Sequence, residues 1–112
     1  MDFSTYQQLA ARTMNPALGR EETLQHALYM CCAEVGEIHS LFQKKYQGHD
    51  ISREHLVKEI GDVCWALAEL CTVCNINMDE VARTNIEKLQ ARYPNGFSAD
   101  NHLTGQKGIF KS

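Results

Sequence analysis

Apolar positions recur along this chain at alternating steps of four and three, the rhythm of helices with one apolar face. In the longest stretch, from about Glu21 to Tyr46, the residues Leu24, Leu28, Cys31, Val35, Ile38 and Phe42 make one continuous stripe. A further helix, capped by Ser52 and reaching to about Cys74, repeats the rhythm with Leu56, Ile60, Val63, Leu67, Leu70 and Cys74. Only the polar break Gln47-Gly48-His49-Asp50 and its flank separate the two, so they should pack as an antiparallel pair. A shorter helix precedes them, from about Ser4 to Met14, with Ser4 as N-cap and Gln7 at N3, ended by Asn15-Pro16. A fourth follows, from a capping box formed by Asn77 and Glu80 to about Tyr93, with Ala82, Ile86, Leu89 and Tyr93 facing inward. Pro94-Asn95-Gly96 stops it, and a polar, glycine-containing tail runs from about Phe97 to the end. The expected fold is all-α and a single domain over residues 1–112.

Size changes that picture. At 112 residues, 44% of them apolar, the chain suits one small globular domain. A short chain of long helices buries a limited core alone, so association through helix faces is expected. The formal net charge of −3, with no dense basic patch, argues against nucleic acid or an anionic membrane as partner. The N-terminus lacks a basic stretch followed by an apolar run, and no apolar run approaches membrane-spanning length. The five cysteines fall inside helical patterns and read as small buried residues in a reducing, cytoplasmic compartment.

The chemistry lies beside the two long stripes. Glu34 and Glu37 are three apart on one helix, and Glu59 and Asp62 are three apart on the next. Residues three apart share a helix face, and an antiparallel hairpin brings the two pairs opposite each other. Most helix acids are solvated and paired, as Glu54 and Lys58, or Asp79 and Arg83, are by spacing. Glu34, Glu37 and Glu59 have no Lys or Arg three or four residues away, and Asp62 has only Lys58. Two unit charges about 5 Å apart repel by roughly 3 kcal/mol at an effective dielectric of about 20. Four such acids need protonation or a cation, and a hard divalent ion is the simplest neutraliser. No Glu has a His three residues later, and no His-Glu-x-x-His occurs, which removes di-iron bundles and zincins. Cys71-x-x-Cys74 stands alone, without a second pair at zinc spacing. An all-oxygen site points to Mg²⁺, with Mn²⁺ as a substitute, and to phosphate substrates.

Glu34-Val-Gly-Glu37 followed by Glu59-Ile-Gly-Asp62 resembles the signature of the MazG-like all-α nucleoside triphosphate pyrophosphohydrolases. Asn85-Ile-Glu-Lys88-Leu89 and Arg92-Tyr93-Pro94-Asn95-Gly96-Phe97 look like that family's fourth helix and its exit. The likeness spans about residues 20–100. One departure is Ala33, where many members carry another Glu. The resemblance implies a four-helix bundle core assembled from the helical hairpins of two protomers, as a dimer or a dimer of dimers. It also implies Mg²⁺-dependent hydrolysis of a nucleoside triphosphate to the monophosphate and pyrophosphate. Glu34, Glu37, Glu59 and Asp62 would then be metal ligands and catalytic acids, with Glu37 the first choice of base. Asn85 and Lys88 would contact the substrate. A preference for deoxynucleotides, in housecleaning of the nucleotide pool, is expected by analogy.

Two further residues join the candidate substrate set. Arg92 extends the polar stripe of Asn85 and Lys88, though a solvated helix face explains it equally. Trp65, three residues after Asp62, is placed to stack on a base, although a lone helix Trp more often packs in a core or interface. Glu69, unpartnered and one heptad beyond Asp62, is placed to border the site, although an exposed acid is the simpler reading, and the five histidines form no ligand pattern. The rival readings are a non-catalytic helical oligomeric adaptor, with the acids as plain surface, and a phosphoribosyl-ATP pyrophosphohydrolase.

Overall fold

The computed structural model of the protein describes residues 1–100. The polar tail expected from about Phe97 therefore lies, from residue 101 onward, outside the described residues. Among the described residues there are four helices and no strand: α1 (Phe3–Ala11), α2 (Arg20–Tyr46), α3 (Arg53–Val73) and α4 (Met78–Arg92). The all-α expectation holds.

Each boundary has a local cause. The N-cap of α1 is Asp2, not Ser4, and its carboxylate accepts from the Thr5 amide at 2.7 Å. An ionised cap at a helix start outcompetes a hydroxyl two residues later, because the exposed amides and the helix dipole both favour negative charge. The same hydrogen bond holds the Asp2 carboxyl below its ordinary pKa. Ser4 instead sits inside α1 and donates to Asn77 Oδ1 at 2.8 Å. The helix ends at Ala11, short of Met14, because the Thr13 and Met14 amides bond back to Ala10 and Ala11. These are tight three-residue turns ahead of Asn15-Pro16.

Ser52 caps α3 as expected, accepting from the His55 amide at 3.0 Å. Both long helices close with the paired bonds of a Schellman turn. After α2, Gly48 at φ +98° bonds to Lys45 O and His49 to Lys44 O. After α3, Asn75 at φ +58° bonds to Thr72 O and Ile76 to Cys71 O. Asn tolerates the left-handed region better than other residues with a side chain, so it serves here where glycine serves after α2.

Backbone contacts divide the chain into two units, one through Met78 and one from Asp79 onward. In the first, α2 packs on α3 and α1 packs on α3. Ala27 and Ala66 are fully buried, letting α2 and α3 approach closely. Ala10, Ala68 and Met78 form a small core, flanked by Tyr6, Trp65 and Cys71. Gln7 fastens α1 to the end of α3. Its side-chain amide donates to Thr72 Oγ1 and to Ile76 O, and its carbonyl accepts from the Met78 amide at 2.8 Å.

The apolar stripes of the two long helices are only partly covered. Leu28, Val35 and Phe42 of α2, and Ile60 and Leu67 of α3, remain exposed. The residues buried on these two helices are Thr23, Ala27, Leu41, Ala66, Ala68 and Glu69. Alanines hold the fully buried places, while Leu24, Ile38, Leu56, Val63 and Leu70 of the stripes are half-buried. In the second unit, Tyr93 and Phe97 bring their rings to 5.7 Å across a turn in which Gly96 takes φ +87°.

Candidate active site

Helices α2 and α3 run antiparallel, and they bring one acid of the first pair against both acids of the second. Carboxylate oxygens of Glu34, Glu59 and Asp62 all lie within 4.8 Å of one another. Glu34 and Glu59 are half-buried, and Asp62 is exposed. Glu37 stands outside that group and is exposed, one turn along α2.

The group is short of positive charge. Lys58, the one cation within helical reach of Asp62 by sequence, pairs with Glu54 at 3.5 Å. The neighbour that does reach the group is His55, whose Nε2 lies 3.0 Å from Glu59 Oε1. The physical consequence falls on Glu34. Burial pushes its carboxyl pKa up, and the charges of Asp62, Glu59 and Glu37 push it further the same way. Three converging carboxylates, a raised acid and no Lys or Arg among them form an all-oxygen donor set suited to a hard divalent cation.

The other candidate residues are placed as follows. Trp65 lies on α3, half-buried, with its indole N–H donating to Thr13 Oγ1 at 2.7 Å. Its ring meets that of His26 edge-on, with centroids 6.2 Å apart. Asn85 and Lys88 are exposed on α4, in the second unit. Arg92, at the end of α4, is half-buried, with its guanidinium 6.0 Å from the Tyr93 ring centroid.

Three features were not read from the sequence. His55 stands four residues before Glu59, so counting histidine among the i−4 partners would have found it. Glu69 is not an exposed acid: it is 2% exposed and bonded to His26 Nδ1 at 2.7 Å. His26 and Glu69 are 43 residues apart, and no local spacing signals their pairing. Tyr6 lies against the site as well, its hydroxyl donating to Gly61 O at 3.5 Å.

Residues 22–97, about two thirds of the chain, match the family described as the MazG nucleotide pyrophosphohydrolase domain. This chain belongs to that family. The matched span contains Glu34, Glu37, Glu59 and Asp62, and also Trp65, Asn85, Lys88 and Arg92. The chain is also similar to the Gene 37 protein of Mycobacterium phage L5, at 29% identity over 113 residues. That alignment covers 90% of this MazG-family chain and 99% of the phage protein. No solved structure matches the chain. Among the described residues, no helix is long and apolar enough to cross a membrane.

Proposed function

We propose that this MazG-family protein hydrolyses nucleoside triphosphates to monophosphates and pyrophosphate, with Mg²⁺ held by Glu34, Glu59 and Asp62. The observation that carries this reading is the convergence of those three carboxylates within 4.8 Å, with no Lys or Arg among them. A bound divalent cation supplies charge neutralisation for the triphosphate and acidifies water. Mn²⁺, with the same taste for oxygen ligands, substitutes.

The chain's own residues divide the remaining work. Glu37, left outside the three-acid group, is free to accept a proton, and it is our choice of general base. It takes that proton from water as the water oxygen bonds to the α-phosphorus. The bond from the α-phosphorus to the bridging oxygen breaks, and pyrophosphate leaves with the electron pair. His55 holds one oxygen of Glu59 and so orients that carboxylate. Asn85 and Lys88 bind the substrate, Lys88 as a point charge on a phosphate. Arg92 and Trp65 complete the substrate set.

We read the exposed apolar stripe of Leu28, Val35, Phe42, Ile60 and Leu67 as the face on which a second copy packs. The working protein is then a dimer or a dimer of dimers, acting in the cytoplasm on the nucleotide pool and favouring deoxynucleotides. A product assay tests the whole reading. Each common NTP and dNTP is incubated with Mg²⁺ or with EDTA, beside a Glu59→Ala control. Metal-dependent release of monophosphate and pyrophosphate, lost in the variant, is expected. A folded protein that neither turns over any nucleotide nor binds Mg²⁺ would be the non-catalytic helical adaptor instead.

A further inference from the structure

The α2–α3 hairpin carries a second ionisable pair that the metal chemistry does not use. The side chain of Glu69 is 1% exposed, and both its oxygens lie within hydrogen-bond distance of a single atom, His26 Nδ1, at 2.7 and 3.0 Å. An ionised carboxylate only accepts, so Nδ1 carries the proton and donates it. In the neutral ring that leaves Nε2 as a lone-pair acceptor, on the far side of the imidazole. Nε2 has no partner among the described residues, and the His26 side chain is 42% exposed. The ring is braced as well as tethered. Trp65 meets it at an interplanar angle of 88°, and Trp65 is itself fixed by Thr13. A buried carboxylate is costly unless well paired. Here it is paired with a half-exposed ring whose other nitrogen is unpartnered among the described residues, the arrangement that sets a histidine for a ligand.

The position of the pair gives that ligand an identity. His26 lies eight residues before Glu34 on α2, and Glu69 lies seven residues after Asp62 on α3. At the rise of a helix, that sets the pair about 11 Å from the three acids along the same seam. Both places adjoin the N-terminal segment, through Tyr6 at Gly61 and Thr13 at Trp65. A nucleotide held by its phosphates at the acids carries its base at such a remove.

We infer that His26 contacts the base of the substrate, its Nε2 accepting a hydrogen bond from an exocyclic amine, with Glu69 as the residue that positions it. The substrate class is then nucleoside triphosphates with an amino group at that edge, in preference to their keto counterparts. This rests on the pyrophosphohydrolase reading above.

Two matched pairs of substrates test it, because each differs at that one edge: dCTP against dUTP, and dATP against dITP. Wild type should prefer the amino member in at least one pair. In His26→Ala the amino-over-keto ratio of kcat/KM should fall about tenfold, the worth of one discriminating hydrogen bond. The fall should come more from KM than from kcat. Glu69→Gln, whose carbonyl still accepts from Nδ1–H, should keep most of the preference. A His26→Ala protein with wild-type circular dichroism and an unchanged ratio would overturn the inference, as would a wild type that prefers the keto member of both pairs. A wild type that turns over no nucleotide is a different result, because it removes the pyrophosphohydrolase reading itself.

Discussion

Glu34 and Glu69 belong to one hairpin and lie about 12 Å apart along it, yet they are treated in opposite ways. Glu69 is buried, and both its oxygens are met by an imidazole. Glu34 faces Glu59 and Asp62, and their charges add to its burial in raising its pKa. Helix propensity does not separate the two positions, and neither does residue type. The pairing does: at the Glu69 end the fold satisfies its acid, and at the Glu34 end it concentrates negative charge and leaves it without Lys or Arg. Under the proposed function, this unrelieved charge is what an outside cation would neutralise.

The sharpest way to break this contrast is catalytic. Asp62→Ala or Glu59→Ala should lower pyrophosphate release by at least a hundredfold, since each removes an acid that the proposed reaction requires. Turnover near wild type in either variant would make the acids plain surface. The next effect is on stability. Mg²⁺ at a hundred times its Kd should stabilise the folded chain by about 2.7 kcal/mol, which raises the Tm of a domain this size by roughly 10 °C. The shift should vanish in Asp62→Asn and persist in Glu69→Gln. Differential scanning calorimetry with and without Mg²⁺ reads both.

The Glu34 half of this contrast could be read from residue order; the Glu69 half could not, for a physical reason. Glu34, Glu59 and Asp62 announce themselves because helical spacing sets which side chains share a face, and because local cations can be counted. The helix ends were legible where one residue decides them, as at Ser52 and Gly48. At α1 two candidate caps compete, and ionised Asp2 prevails over Ser4. The seam of the hairpin was harder to read. A four-three rhythm marks an apolar stripe without saying what covers it, and here Ala27 and Ala66 take the inner place while Leu28 and Leu67 stay outside. The pairing of His26 with Glu69 joins distant segments, and only packing reveals it. Glu37 shares a motif with Glu34, but the structure leaves it outside the group of three.

A substitution at the satisfied end sharpens the comparison. Glu69→Ala removes the acceptor for His26 Nδ1 and opens a void at a buried position, so it should cost about 2 kcal/mol in urea unfolding. His26 is half-exposed, and water can satisfy its freed N–H, which keeps the loss below that of a fully buried pair.

At the crowded end the same type of change should carry the opposite sign. Glu34→Gln removes a like charge from the group, so the metal-free protein should gain up to about 0.5–1 kcal/mol, a modest amount because solvent screens partly exposed charges. Its pH dependence identifies the group. The folded pKa of Glu34 lies above the ordinary 4.5. Between those two values the folded chain holds more protons than the unfolded chain, so stability falls as pH rises through the window. Below the window this contribution is fully present, and above the folded pKa it is gone. Urea midpoints for the metal-free protein, taken from about pH 4 upward, should therefore show a downward component that Glu34→Gln removes. Glu69→Gln should leave that component in place, because Glu69 is not among the charges that raise Glu34. A wild-type slope that survives Glu34→Gln would mean that another group carries it and that the folded chain does not raise the Glu34 carboxyl.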